Sequence, residues 1–184
     1  MPVLNVRTAG APGGEVLSQT AREVTEEEFG SELDAFGSAM LETMYAHNGV
    51  GLAAPQVGDS RRIIVVDGEQ EYVSEYSAAS YVMVNPVIVE FGEDTRSTEE
   101  GCLSVPNFYI SVERPESIKV QYRTPAGDIV VKDFEGFMAV KIQHEIDHLN
   151  GTTLLKHASR LKRSRYEKKI KKIVKRILER NNVG

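Results

Sequence analysis

The chain has 184 residues, 41% of them hydrophobic, which suits one domain with a buried core and, without a run of about 18 apolar residues, excludes a membrane-spanning helix. The opening residues lack the basic-then-apolar plan of a secretory signal, so a soluble, cytoplasmic protein with no membrane partner is expected, and a single cysteine, Cys102, excludes an internal disulfide. The net charge of -5 divides into +9 over residues 160–180 and -14 over the rest, an acidic body with a basic tail; such a run is most often a solvated face, and it also attracts polyanions.

In chain order, Thr25-Glu26-Glu27-Glu28 has the form of a capping box and predicts a helix start. Phe29, Leu33, Phe36, Met40 and Met44 continue at helical spacing, and Asn48-Gly49 supplies a left-handed stop. Beyond Gly58 the pattern changes to short β-rich runs at 62–66, 81–84, 87–91, 117–123 and 129–134. Turn residues divide them, Asn85-Pro86 and Pro125-Ala126-Gly127-Asp128 among them. Residues 69–80 read as an exposed loop. A second helix is predicted from about Phe137 to Leu149, stopped by Asn150-Gly151. A third begins near Ser159, with Tyr166, Ile170, Ile173, Val174, Ile177 and Leu178 as an apolar stripe between basic residues, able to dock while showing its charge to solvent. The fold class is therefore α+β: a mixed, largely antiparallel sheet around a central helix, with a basic C-terminal helix over 160–181. All of residues 1–184 read as one domain.

The second helix carries the strongest chemical signal, His144-Glu145-Ile146-Asp147-His148. Four residues between the histidines put both imidazoles on one helix face, about a turn apart, so that they converge on one cation. Glu145 is rotated from that pair but stays within reach of a water on the ion, where a carboxylate serves as general base. Two imidazoles do not complete a tetrahedral site. His47, His157 and Cys102 are the remaining histidines and thiol. Cys102 lies in Glu99-Glu100-Gly101-Cys102-Leu103-Ser104-Val105-Pro106, where Gly101 and Pro106 mark irregular backbone between strands. A lone cysteine is by default apolar filler, but the helix needs a third ligand, and that need favours the thiolate. Gly49-Val50-Gly51-Leu52-Ala53-Ala54-Pro55-Gln56 is a third element, whose small residues allow close backbone approach to packed structure or to a substrate.

In order, interval and overall length, the segments Gly49 to Gln56, Glu100-Gly101-Cys102-Leu103-Ser104 and Gln143-His144-Glu145-Ile146-Asp147-His148 resemble the three signature motifs of peptide deformylases. Val16-Leu17 through Val24-Thr25 is similar to that family's N-terminal strand and the approach to its first helix. The resemblance implies Cys102, His144 and His148 as metal ligands and Glu145 as acid/base. It implies that the Gln56 side-chain amide and the Leu103 N–H face the carbonyl oxygen, that Gly51 lies beside the substrate, and that Val50, Phe137 and Val140 line a methionine pocket. Arg114 matches an arginine that supports the site, as a partner for Asp147. The implied activity is removal of the formyl group from N-formylmethionyl nascent polypeptides, with release of formate. One divalent metal per chain is implied, ferrous iron in the cell, with zinc, nickel or cobalt able to replace it in isolated protein. The basic C-terminal helix is expected to approach the ribosome, with no sequence-specific nucleic-acid binding. The chain departs from the family between Val66 and Val82, and at Leu154-Leu155-Lys156-His157, which lacks an acidic residue common after the metal helix. An internal peptidase of the H-E-x-x-H kind would instead take a later His or Glu as third ligand. A non-catalytic ribosome or RNA binder with a closed structural metal site would need a fourth protein ligand.

Overall fold

The computed structural model describes residues 3–68 and 80–181. At its centre is β2 (Ile63–Val66), antiparallel to β1 (Gly51–Ala53) on one side and to β3 (Tyr81–Phe91) on the other. All four β2 residues are buried, because successive side chains of a strand point to opposite faces and both faces are covered. Ile63 and Val65 cluster with Leu33, Met40 and Met44 of α1 (Ser31–Ala46). Ile64 and Val66 cluster instead with Ala139, Ile142, Ile146 and Leu149 of α2 (Gly136–Leu149). The metal-motif helix is thus held against one face of the sheet by its own apolar side.

The sheet continues through β6 (Ser117–Arg123) to the edge strand β7 (Ile129–Glu135), in the order β1-β2-β3-β6-β7 with every pair antiparallel. Pro125 to Asp128 form the expected hairpin between β6 and β7, with Gly127 at φ +98°. A second, two-stranded sheet pairs β4 (Thr95–Cys102) with β5 (Val105–Pro115). The architecture is α+β, as expected, and no helix among the described residues is long and apolar enough to cross a membrane.

Local expectations needed correction in four places. The Thr25 capping box starts only a single 3-10 turn, Glu26–Glu28. Glu28 accepts from the Thr25 N–H at 2.9 Å, but its carboxylate also grips Arg22, and Gly30 at φ +130° interrupts the helical dihedrals, so α1 begins at Ser31. Asn85-Pro86 is not a turn: β3 runs through it on a register shift, while the Asn85 amide exchanges two hydrogen bonds with the Val24 backbone. The segment expected as an N-terminal strand is a 3-10 turn at Glu15–Ser18 followed by isolated bridges of Thr20 to Asn150 and Arg22 to Arg61. The backbone around Gly101 and Pro106 forms the tight end of the β4–β5 hairpin. The loop expected over 69–80 lies outside the described residues but for Ser80.

After α2 comes a short α3 (Leu154–His157) and then α4 (Arg160–Asn181). Tyr166 and Ile170 of α4 bury against Leu17, Val105, Ile110, Val112, Leu154 and Leu155. Val174 packs partly buried against the same cluster, whereas Ile173, Ile177 and Leu178 are exposed.

Candidate metal centre and its cavity

His144 and His148 lie one turn apart on α2 with ring centroids 5.2 Å from each other. Cys102 comes from the other layer, at the end of β4, where a register shift between Gly101 and Cys102 breaks the hairpin ladder. Its Sγ lies 3.2 Å from His148 Nε2. One ligand atom from each of Cys102, His144 and His148 falls within 4.8 Å of the others. A thiolate and two imidazoles form a donor set suited to zinc, iron, cobalt or nickel, and three protein ligands leave a tetrahedral ion one open position.

A chain of charged groups stands behind the ligands. His144 Nδ1 meets Glu100 Oε2 at 2.7 Å, so Nε2 is the nitrogen left to ligate. Arg114 grips the same carboxylate through Nε at 2.6 Å and Nη2 at 3.0 Å. Arg114 Nη2 also lies 3.0 Å from Asp147 Oδ2, the pairing expected from sequence, and Asp147 in turn meets His157 Nε2 at 3.0 Å. Burial pushes Glu100 toward protonation, but His144 and Arg114 outweigh it and hold its pKa below the ordinary value. Burial likewise opposes charge on His144, yet the bonds to Cys102 and Glu100 hold its pKa well above normal. The pKa of His148, desolvated and facing the charges of His144 and Arg114, is held well below normal.

Glu145 points toward β1. A Cβ at Gly51 would collide with Glu145 Oε1, so the glycine is what admits this carboxylate. Its Oε2 is buried with no hydrogen-bond partner among the described residues. Burial, partly offset by His144, raises its pKa to about 7, which suits a group that takes and returns a proton near neutral pH. Gln56 is fixed by its side-chain oxygen, which accepts from the Ala53 N–H at 2.7 Å. Its amide nitrogen is thereby aimed at Cys102 Sγ, 3.6 Å away, and Ser104 Oγ, 3.2 Å away.

A cavity of about 600 Å³ opens onto this group. Its wall includes Val50, Gly51, Gln56, Cys102, Leu103, Phe137, Val140, His144 and Glu145, whereas His148, fully buried, and the supporting pair Arg114 and Asp147 are not part of it. Phe137, Val140, His144 and Glu145 reach it from one face of α2. Sequence reasoning did not anticipate the Glu100 contact with His144, the His157 contact with Asp147, or Lys141 in the cavity wall. Each depends on which elements meet in space. For Glu100 the one available signal was its place two residues before the cysteine.

A family profile described as polypeptide deformylase matches residues 3–164. The peptide deformylase of Phenylobacterium zucineum is 47% identical over 175 residues, covering 95% of this chain and 99% of the relative. That of Caulobacter vibrioides is 49% identical over 141 residues, covering 77% and 80%. Among solved structures, peptide deformylase from Ehrlichia chaffeensis is similar with a TM-score of 0.81 and 37% identity, over 93% of this chain and 96% of that one. The Met-Ala-Ser-bound class I type b peptide deformylase from Acinetobacter baumannii gives a TM-score of 0.76 and 41% identity, over 85% and 99%.

Proposed function

The chain belongs to the polypeptide deformylase family, and from that premise we propose how its own residues remove the formyl group from the N-formylmethionyl end of nascent polypeptides, releasing formate. The observation that carries the reading is the meeting of Cys102, His144 and His148 beside a buried Glu145 oxygen that has no hydrogen-bond partner among the described residues, with Cys102, His144 and Glu145 lining one cavity. Cys102, His144 and His148 would hold a divalent ion, which would supply Lewis acidity and lower the pKa of a water to about 7.

The protein supplies the rest. Glu145 takes a proton from the attacking water and returns it to the amine as the C–N bond breaks. The Gln56 amide and the Leu103 N–H donate to the formyl oxygen as its charge grows, and because Gln56 is already tied to Ala53 it needs little reorganisation. Gly51 keeps the backbone close to Glu145, and Val50, Phe137 and Val140 receive the methionine side chain.

Ferrous iron is the proposed cellular metal. With a thiolate ligand it makes an oxygen-sensitive centre, so zinc, nickel or cobalt can replace it in aerobically isolated protein. The basic α4 is the proposed contact with ribosomes, and residues 1–184 are proposed to act as a single catalytic unit in the cytoplasm. Formate release from formyl-Met peptides by anaerobically loaded protein tests the reading. Glu145→Gln is expected to retain metal and lose at least two orders of magnitude in turnover; near-normal turnover with metal bound would remove Glu145 from the mechanism.

A further inference from the structure

The outer face of the β4–β5 hairpin is polar but for one ring. Ser97, Glu99, Ser111 and Glu113 point outward there, with Glu99 opposite Ser111 and Gly101 opposite Tyr109. Tyr109 is 64% exposed, and the edge of its ring lies over Gly101, where a Cβ would come within 2.6 Å of Cε1. Phe108 turns the other way and packs on Tyr166 of α4, with ring centroids 5.4 Å apart. Among the described residues no other ring and no cation packs on Tyr109. Glu99, its diagonal neighbour across the hairpin, makes no ion pair among them. Glu99, Gly101 and Tyr109 all belong to the cavity wall, so the cavity opens onto this face beside the ligand Cys102. Of the wall's acids Glu99 alone is exposed, because Glu100 and Glu145 are buried.

In an extended chain successive side chains point to opposite sides. With methionine received by Val50, Phe137 and Val140, from beside β1 and from α2, the next side chain is directed toward the other layer of the wall, the hairpin. We propose that Glu99 and Tyr109 are specificity-determining residues that favour arginine directly after the formylmethionine. The inference rests on the deformylase reading of the site. A guanidinium is planar and weakly hydrated, so it stacks on the exposed ring while its N–H groups donate to the Glu99 carboxylate. Alanine at the same place reaches neither group.

The test measures kcat/KM for formyl-Met-Arg-Ser and formyl-Met-Ala-Ser on metal-loaded wild type, Glu99→Gln, Tyr109→Ala and Tyr109→Phe at low salt. The arginine-to-alanine ratio in the wild type is expected to be about threefold or more, as an exposed ion pair and a cation on a ring together allow. It is expected to fall by about twofold or more in Glu99→Gln and in Tyr109→Ala, and to persist in Tyr109→Phe, which keeps the ring. A smaller wild-type ratio, a smaller fall in either of the first two variants, or loss of the ratio in Tyr109→Phe overturns the proposal. So does a preference that appears only with arginine one residue further on. Because each ratio is taken within one protein, a general loss of activity or metal in a variant cancels. If formyl-Met-Ala-Ser released no formate, the deformylase reading would fail. Calorimetric affinities of unformylated Met-Arg-Ser and Met-Ala-Ser would then give the ratio without turnover, and equal affinities would overturn the proposal separately.

Discussion

At the scale of single residues, the site works by restraint. Gln56 shows the pattern: its oxygen is committed to the Ala53 N–H, so its amide nitrogen is held beside the ligand group, within reach of Cys102 Sγ and Ser104 Oγ. Gln56→Ala is therefore expected to lower kcat by about 10² to 10³ with metal content unchanged, the usual cost of losing one donor to a developing oxyanion. Steady-state kinetics beside metal analysis check this, and a change confined to KM would make Gln56 a substrate-binding group instead. Glu100 and Arg114 act one step further out, since they orient His144 without reaching the cavity's reacting centre.

At the scale of elements, the informative signals were those that depend on local spacing. The interval between His144 and His148 was enough to put two imidazoles on one helix face, and the Pro125-Ala126-Gly127-Asp128 run was enough for a hairpin. Where sequence reading fell short, a competing local or tertiary contact prevailed. Glu28 spends its carboxylate on Arg22 as well as on Thr25, and Gly30 then leaves helical dihedrals, so the capping box opens no long helix. β4 was missed because Thr95 to Glu100 is almost wholly polar and shows no apolar alternation, while β5 contains Pro106 and a left-handed Asn107. The stripe on α4 was legible, but how far the body extends beneath it was not, and Ile173, Ile177 and Leu178 stay exposed among lysines. Replacing Lys168, Lys169, Lys171 and Lys172 by Gln is expected to weaken co-sedimentation with ribosomes, most visibly at low salt, and to leave formate release from short peptides intact. Unchanged co-sedimentation at every salt concentration would exclude α4 as the contact.

At the scale of the whole molecule, two layers meet at the metal centre: α2 backed by the five-stranded sheet brings both histidines and Glu145, and the separate β4–β5 hairpin brings Cys102. Surface charge pairs tie peripheral turns to that body. The Arg22 guanidinium, aided by the Thr25 N–H, lowers the Glu28 pKa to about 2. A carboxyl depressed on folding stabilises the protein above its ordinary pKa of about 4.3, and that contribution is lost as the pH falls toward the folded value. Stability measured by denaturant titration should accordingly drop between pH 4.5 and pH 2, with a shallower drop in Glu28→Gln; an equal slope in both proteins would assign the acid sensitivity to other carboxylates.

The ligand set of Cys102, His144 and His148 is tested most directly by X-ray absorption on protein loaded with one zinc per chain. A single sulfur at about 2.3 Å, two imidazole nitrogens at about 2.0 to 2.1 Å and one further light atom are expected, with the sulfur shell absent in Cys102→Ser. A shell without sulfur in the wild type, or with four protein ligands, would contradict it.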